Sequence, residues 1–216
     1  MSSSSFPQFE DRPKLLGDAA ARRERLGQLR ERHVAPLTEF VEALRREKGP
    51  PYEIPYFDPW DGGTDARVLN LLEAPGAKAV RSGFVSRNNP DETAKNSIEL
   101  HKAAGIPRRL AVSWNIVPWY IGSGTRIRAA KSDDIAAGAR SLERLLGLLP
   151  KLQAILLVGR KAERAAGLIQ TLRANVKIFS SPHPSPLFVN RLPGNRERIL
   201  EVLREVRRFL EQSSTR

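Results

Sequence analysis

Three side chains in this sequence combine a useful chemistry with an unusual setting. His183 stands in SSPHPSPL between Pro182 and Pro184, so prolines fix the backbone dihedrals on both sides of it. An imidazole held that way is a hydrogen-bond donor that needs little reorganisation when charge develops beside it. Asn115 closes the apolar run RLAVSWN, and its carboxamide presents a donor and an acceptor together. Glu73, in LLEAPG, brings a carboxylate to the end of another apolar run, just ahead of a Pro-Gly turn. Taken singly, each has a plainer explanation: a turn histidine, a strand-end asparagine that caps a turn, a solvated glutamate.

Composition narrows what these groups can serve. The 216 residues contain no cysteine, which removes disulfides, iron–sulfur clusters and cysteine-ligated zinc. The three histidines, His33, His101 and His183, are scattered without metal-ligand spacing, so no metal is expected. Lys and Arg number 36 against 24 Asp and Glu, a formal charge of +12, which points to a polyanionic partner such as nucleic acid. No apolar run approaches the roughly 20 residues of a membrane span. The opening MSSSSFPQFEDRP has no apolar signal core, so an intracellular (cytoplasmic), soluble monomer is the expectation.

The elements that would position the three groups follow from periodicity. Residues 1–17 are Ser-rich and then mixed polar, and read as a disordered or loosely attached tail; residues 18–216 read as one domain. Over 18–48, Leu26, Leu29, Leu37, Phe40, Val41 and Leu44 recur at helical spacing, with a break at Pro36. Residues 49–65 form a Pro- and Gly-punctuated loop whose aromatics Tyr52, Tyr56, Phe57 and Trp60 are expected mainly to pin it to the core. From 66 to 211, apolar strands alternate with helices. ARVLNLLE, RLAVSWNIV, AILLVG and VKIFSS are the strands. The helices between and after them include one expected to be capped by Ser132 and a closing one expected to be capped by Asn195. This predicts a three-layer α/β/α fold around a four-stranded parallel sheet. Ligands of such sheets bind beyond the carboxyl ends of the strands, and Glu73, Asn115 and His183 all fall there.

Together, LLEAPG, SWN and HPSPL, in that order and at those strand ends, resemble the motifs of the uracil-DNA glycosylase superfamily over roughly residues 56–209. The resemblance implies uracil-containing DNA as partner and hydrolysis of an N-glycosidic bond, with no metal or organic cofactor, after the base is flipped out of the stack. It implies that His183 stabilises the departing base anion at O2 and that Asn115 reads the uracil edge. It implies that Phe84, in SGFVSRNN, stacks on the base, and that Leu187 wedges into the gap left in the duplex. Ser181 and Ser185 would hold phosphates, with Arg87, Arg160, Lys161 and Arg191, and beside them Lys78, Arg81 and Arg196, as further candidates.

Two positions depart from the superfamily's pattern. The residue before the motif proline, where a water-activating Asp or Asn usually stands, is Ala74; Glu73 is the nearest carboxylate, with Asp91 and Glu92 as rivals. The residue after that proline is Gly76, where the best-known branch has a tyrosine that blocks the thymine methyl. Alongside a uracil-specific hydrolase, the sequence therefore leaves open a broader glycosylase acting on thymine, hypoxanthine or xanthine, and a non-catalytic binder of uracil or abasic DNA.

Overall fold

The structure, a computed structural model, describes residues 9–124 and 126–213. In chain order its elements are α1 (Ala19–Gly27), α2 (Ala35–Lys48), β1 (Tyr56–Phe57), β2 (Val68–Leu72), α3 (Ala77–Ser82), β3 (Phe84–Val85) and α4 (Glu92–Ala103). There follow β4 (Ala111–Asn115), β5 (Gly122–Ser123), β6 (Arg126–Ile127), α5 (Ser132–Gly147), β7 (Ala154–Val158), α6 (Ala166–Leu172), β8 (Lys177–Ser181), α7 (Pro186–Val189) and α8 (Asn195–Gln212). The central sheet has the order β4-β2-β7-β8 and every pairing in it is parallel. A short parallel pair, β1 with β3, and the antiparallel β5–β6 hairpin lie outside it.

Alternation along the strands sends successive side chains to opposite faces. One face carries Leu69, Leu71, Val112, Trp114, Ile155 and Leu157, covered by Leu37, Phe40, Val41 and Leu44 of α2 and by Leu142, Leu145 and Leu146 of α5. Trp114 is its centre: it stacks on Phe57 at 3.9 Å between ring centroids and meets Phe40 edge-on. The second N-terminal helix, α2, thus completes the core. The other face pairs Val68, Ala111, Ala154, Leu156 and Val158 with Leu100 of α4 and Ile199, Leu203, Val206 and Leu210 of α8. That face also receives Asn70, Ser113 and Asn115, polar residues within otherwise apolar strands.

The register levels these residues. Leu72 pairs with Asn115 at the carboxyl ends, and one pleat earlier Asn70 pairs with both Ser113 and Leu156. The polar stripe therefore has a rim layer and a layer about 7 Å deeper, two residues at about 3.3 Å each.

Three local expectations are corrected. Residues 9–17, read as a loose tail, pack against the body: Leu15 and Leu16 are buried, and Leu16 N–H donates to the Asn88 carbonyl at 3.0 Å. Two adjacent leucines removed from water outweigh the polar composition around them. Residues 1–8 lie outside the described residues. Ser132 is the first helical residue of α5, not its cap; Lys131 precedes it and donates its backbone N–H to Asp134. Asn195 is likewise inside α8, after Gly194, and its buried amide donates to the Phe188 carbonyl at 2.7 Å, tying α7 to α8. Pro36 falls in the first turn of α2, where its missing N–H costs nothing. Among the described residues no helix is long and apolar enough to cross a membrane.

Candidate active site

The carboxyl ends of the strands open onto a cavity of about 600 Å3. Its walls come from the turn after β2 (Glu73, Ala74, Gly76), from Asn115 of β4, from the loop after β8 (Ser181–Pro184) and from the segment between β3 and α4 (Ser86, Arg87, Asn89, Asp91). The floor is the deeper polar layer, Asn70 and Ser113, with His101 of α4 beside it. So the three residues singled out by type, His183, Asn115 and Glu73, line one cavity although they lie far apart in the chain.

Asn115 is buried, and its Nδ2 has no hydrogen-bond partner among the described residues. A buried amide left unpaired carries a desolvation cost of about 1–3 kcal/mol, which a ligand that accepts from it would relieve. His183 is held by two neighbours. Asn96, buried in α4, donates to the Pro184 carbonyl at 3.0 Å, and Gly159, at the end of β7, lets the loop come close. A Cβ at Gly159 would stand 3.2 Å from His183 Cβ, and the residue's φ of +85° suits glycine. Burial lowers the His183 pKa below the usual histidine value, with Glu73 and Asp91 pulling the other way. The ring is therefore neutral at pH 7 and can donate one N–H.

Glu73 is half-buried, and its Oε1 accepts the backbone N–H of Ala130. The Ala130 carbonyl in turn accepts from Lys161 Nζ at 3.1 Å. One carboxylate oxygen is thus anchored, and no hydrogen bond among the described residues holds the other. Of its rivals, Asp91 also lines the cavity, although its side chain caps α4 by accepting from Ala94 N–H. Glu92 is exposed, pairs with Lys14, and does not line the cavity. Gly76 is exposed, and a Cβ there would meet nothing within 4 Å.

The remaining expected residues divide. Leu187 is 86% exposed on α7, an apolar side chain projecting from the histidine loop, and Arg160 and Arg191 are exposed near that region. Ser185 precedes α7 and its hydroxyl makes no capping bond. Arg87 is corrected: it is only 5% exposed and pairs with the buried Asp61 at 3.0 Å, so it is spent inside the protein rather than presented to phosphate. Ser181 is corrected too, being buried with its hydroxyl donated to the Pro182 carbonyl. Phe84 has no accessible surface and does not line the cavity; Val85 and Ser86 do, so the ring offers a base no face in this conformation. Arg196 pairs with Glu99, and Lys161 is the Ala130 ligand already described.

Sequence reasoning missed Asn96, Gly159, His101 and a buried ionic network. In that network Asp58 accepts from Arg25, Arg108 and Ser86, and Asp61 from Arg87. Burial pushes the Asp58 carboxyl up, but Arg108 and Arg25 outweigh it and hold its pKa at about 2. The network fixes the Ser86–Asn89 wall of the cavity against α1. Among the described residues no cluster of three or more His, Asp or Glu gathers as a metal site.

A profile of the uracil DNA glycosylase superfamily matches residues 59–207, which contain every strand of the central sheet and all three of these residues. The chain belongs to the uracil-DNA glycosylase superfamily. Membership brings a type of activity, hydrolytic removal of a base from DNA. The fold agrees. The crystal structure of SMUG2 from Pedobacter heparinus is similar at a TM-score of 0.54 and 13% identity, over 84% of this chain and 86% of that one. An NMR structure from Methanosarcina acetivorans, provisionally assigned as a uracil DNA glycosylase, is similar at 0.47 and 16% identity, over 67% and 92%. No curated protein matches the sequence.

Proposed function

We propose that this superfamily member is a monofunctional uracil-DNA glycosylase, flipping uracil out of DNA and releasing it by hydrolysis to leave an abasic site. The observation that carries the reading is the buried, unpartnered Asn115 amide in the same cavity as His183 and Glu73.

In this reading the Asn115 Nδ2 donates to uracil O4 while its Oδ1 accepts from N3–H, a pairing that cytosine does not match. The bond from the sugar C1′ to N1 breaks with its electron pair moving onto the base, chiefly toward O2. The neutral His183 N–H donates to that oxygen from a desolvated, preorganised loop. The free oxygen of Glu73 orients a water toward C1′ and accepts its proton as the new C–O bond forms; Asp91 is the alternative carboxylate. Water is the nucleophile in this reading: the strand-end motifs themselves contain no lysine, and of the two that flank them Lys161 donates to the Ala130 carbonyl and Lys78 is exposed at the cavity wall. Leu187 enters the gap in the stack, and Ser185, Arg160 and Arg191 meet phosphates.

A broader base range is the second reading, favoured by the open space around Gly76. The test is a panel of single- and double-stranded oligonucleotides carrying uracil, thymine, hypoxanthine or xanthine, assayed for free base with enzyme in excess. Release from uracil alone supports the first reading, and release from several bases supports the second. Tight binding of uracil-DNA with no base released would leave a non-catalytic binder. An unchanged rate in Glu73→Gln would remove Glu73 as the water-orienting group.

A further inference from the structure

The β5–β6 hairpin and its exit border the cavity, yet the reading above gives them no work. Ile127 lines the cavity while remaining 46% exposed, an unusual place for a large β-branched side chain. Its neighbours Arg126, Arg128 and Lys131 are exposed cations. Arg128 is paired with Asp134, whereas no carboxylate pairs with Arg126 among the described residues. Strands this short do not hold a position unaided, and this hairpin is braced. The Tyr120 hydroxyl lies 2.9 and 3.2 Å from the carbonyls of Gly124 and Arg126. Gly122 permits that approach, since a Cβ there would fall 2.4 Å from the Tyr120 hydroxyl. At the exit, Ala130 is clasped by Glu73 through its N–H and by Lys161 through its carbonyl. The hairpin backbone is thus braced beside the cavity, with Ile127 in the cavity lining and the exposed Arg126 next to it in the chain.

We propose that this hairpin is a second DNA-contacting element, with Ile127 packing beside the extruded nucleotide and Arg126 meeting a backbone phosphate. The partner is DNA because the element combines an apolar contact with cations on a chain of net charge +12. It rests on the proposed excision site only in that DNA must lie across this cavity. Its exit also holds a Glu73 carboxylate oxygen, so a duplex pressing on the hairpin bears directly on that group.

The test combines fluorescence anisotropy on a uracil-containing duplex over a range of salt with single-turnover base release, for the wild type, Ile127→Ala, Ile127→Leu and Arg126→Ala. Ile127→Ala is expected to lower duplex affinity or the single-turnover rate about tenfold, with Ile127→Leu recovering most of it. Arg126→Ala should reduce the slope of log affinity against log salt by about one. Thermal unfolding confirms that each variant is folded. Variants that bind and react like the wild type overturn the proposal even if the wild type excises uracil, and a wild type that does not bind the duplex overturns it as well. A wild type that releases no base, yet binds in a way that depends on Ile127 and Arg126, sustains the hairpin proposal and removes the excision reading instead.

Discussion

The two faces of the central sheet are built from alternate residues of the same strands, and they end in opposite conditions. Toward α2 and α5, Leu71 and Trp114 meet a closed apolar layer with aromatic stacking at its centre. Toward α4 and α8, their neighbours Asn70, Ser113 and Asn115 break the apolar surface, and a cavity of about 600 Å3 opens over them. The closed face contributes stability through burial and close packing. The open face forgoes part of that contribution and holds an unpaired amide and a neutral imidazole in a desolvated space. One chain of five-residue strands thus separates holding the fold from presenting the site, and it does so by a period of two.

Substitutions on the two faces should therefore fail differently. The largest effect is expected from Trp114→Ala on the closed face, a loss of about 3–5 kcal/mol in denaturant unfolding, with activity per folded molecule retained. If that variant is stable but inactive, the separation is wrong. Next, on the open face, His183→Ala should lower single-turnover base release about 10²–10³-fold with little change in unfolding midpoint.

The third prediction concerns His101, on the floor of the cavity. Burial holds its pKa down at about 3 against an ordinary 6.5. Its folded-state pKa is depressed, so its contribution to stability is fully present above pH 6.5 and is lost as pH falls below that value. Between pH 7 and pH 5 it should remove about 2 kcal/mol of stability. Unfolding of the wild type and His101→Gln at both pH values checks this: the variant should lose this part of the pH dependence, and an unchanged dependence would mean His101 is not held neutral. The smallest effect is expected from Asn96→Ala, which frees the Pro184 carbonyl. A cost of about 1 kcal/mol should accompany a rate loss of severalfold that Asn96→Gln partly restores, if the bond positions the histidine loop.

How much of this could be read from the residues alone depends on the distance over which each feature is decided. The strands were legible because apolar runs of about five residues between helical periods have few other outcomes. His183 was legible from its flanking prolines, and Asn115 and Glu73 from their places at the ends of such runs. Arg87 reads as a surface group because its exposure is settled by a partner elsewhere: Asp61 lies 26 residues from it and faces it only after folding. Ser181 is buried at the end of β8, and its hydroxyl turns to the neighbouring Pro182 carbonyl. Asn96 gave no local sign, being a polar residue in a helix whose partner carbonyl is 88 residues away. Phe84 fitted a loop motif, yet it lies in β3, pairs with Tyr56 and is fully buried. The hairpin, with strands of two residues, is too short for a periodic signal.

The central claim is that the polar stripe on the open face selects and releases uracil through Asn115. Its most direct test is single-turnover release of uracil from duplex DNA by the wild type and Asn115→Ala, with unfolding midpoints measured alongside. The account predicts that the wild type releases uracil and that the variant, equally stable or more so once its unpaired amide is gone, loses at least about tenfold in rate. A folded variant that releases uracil as fast as the wild type would contradict it.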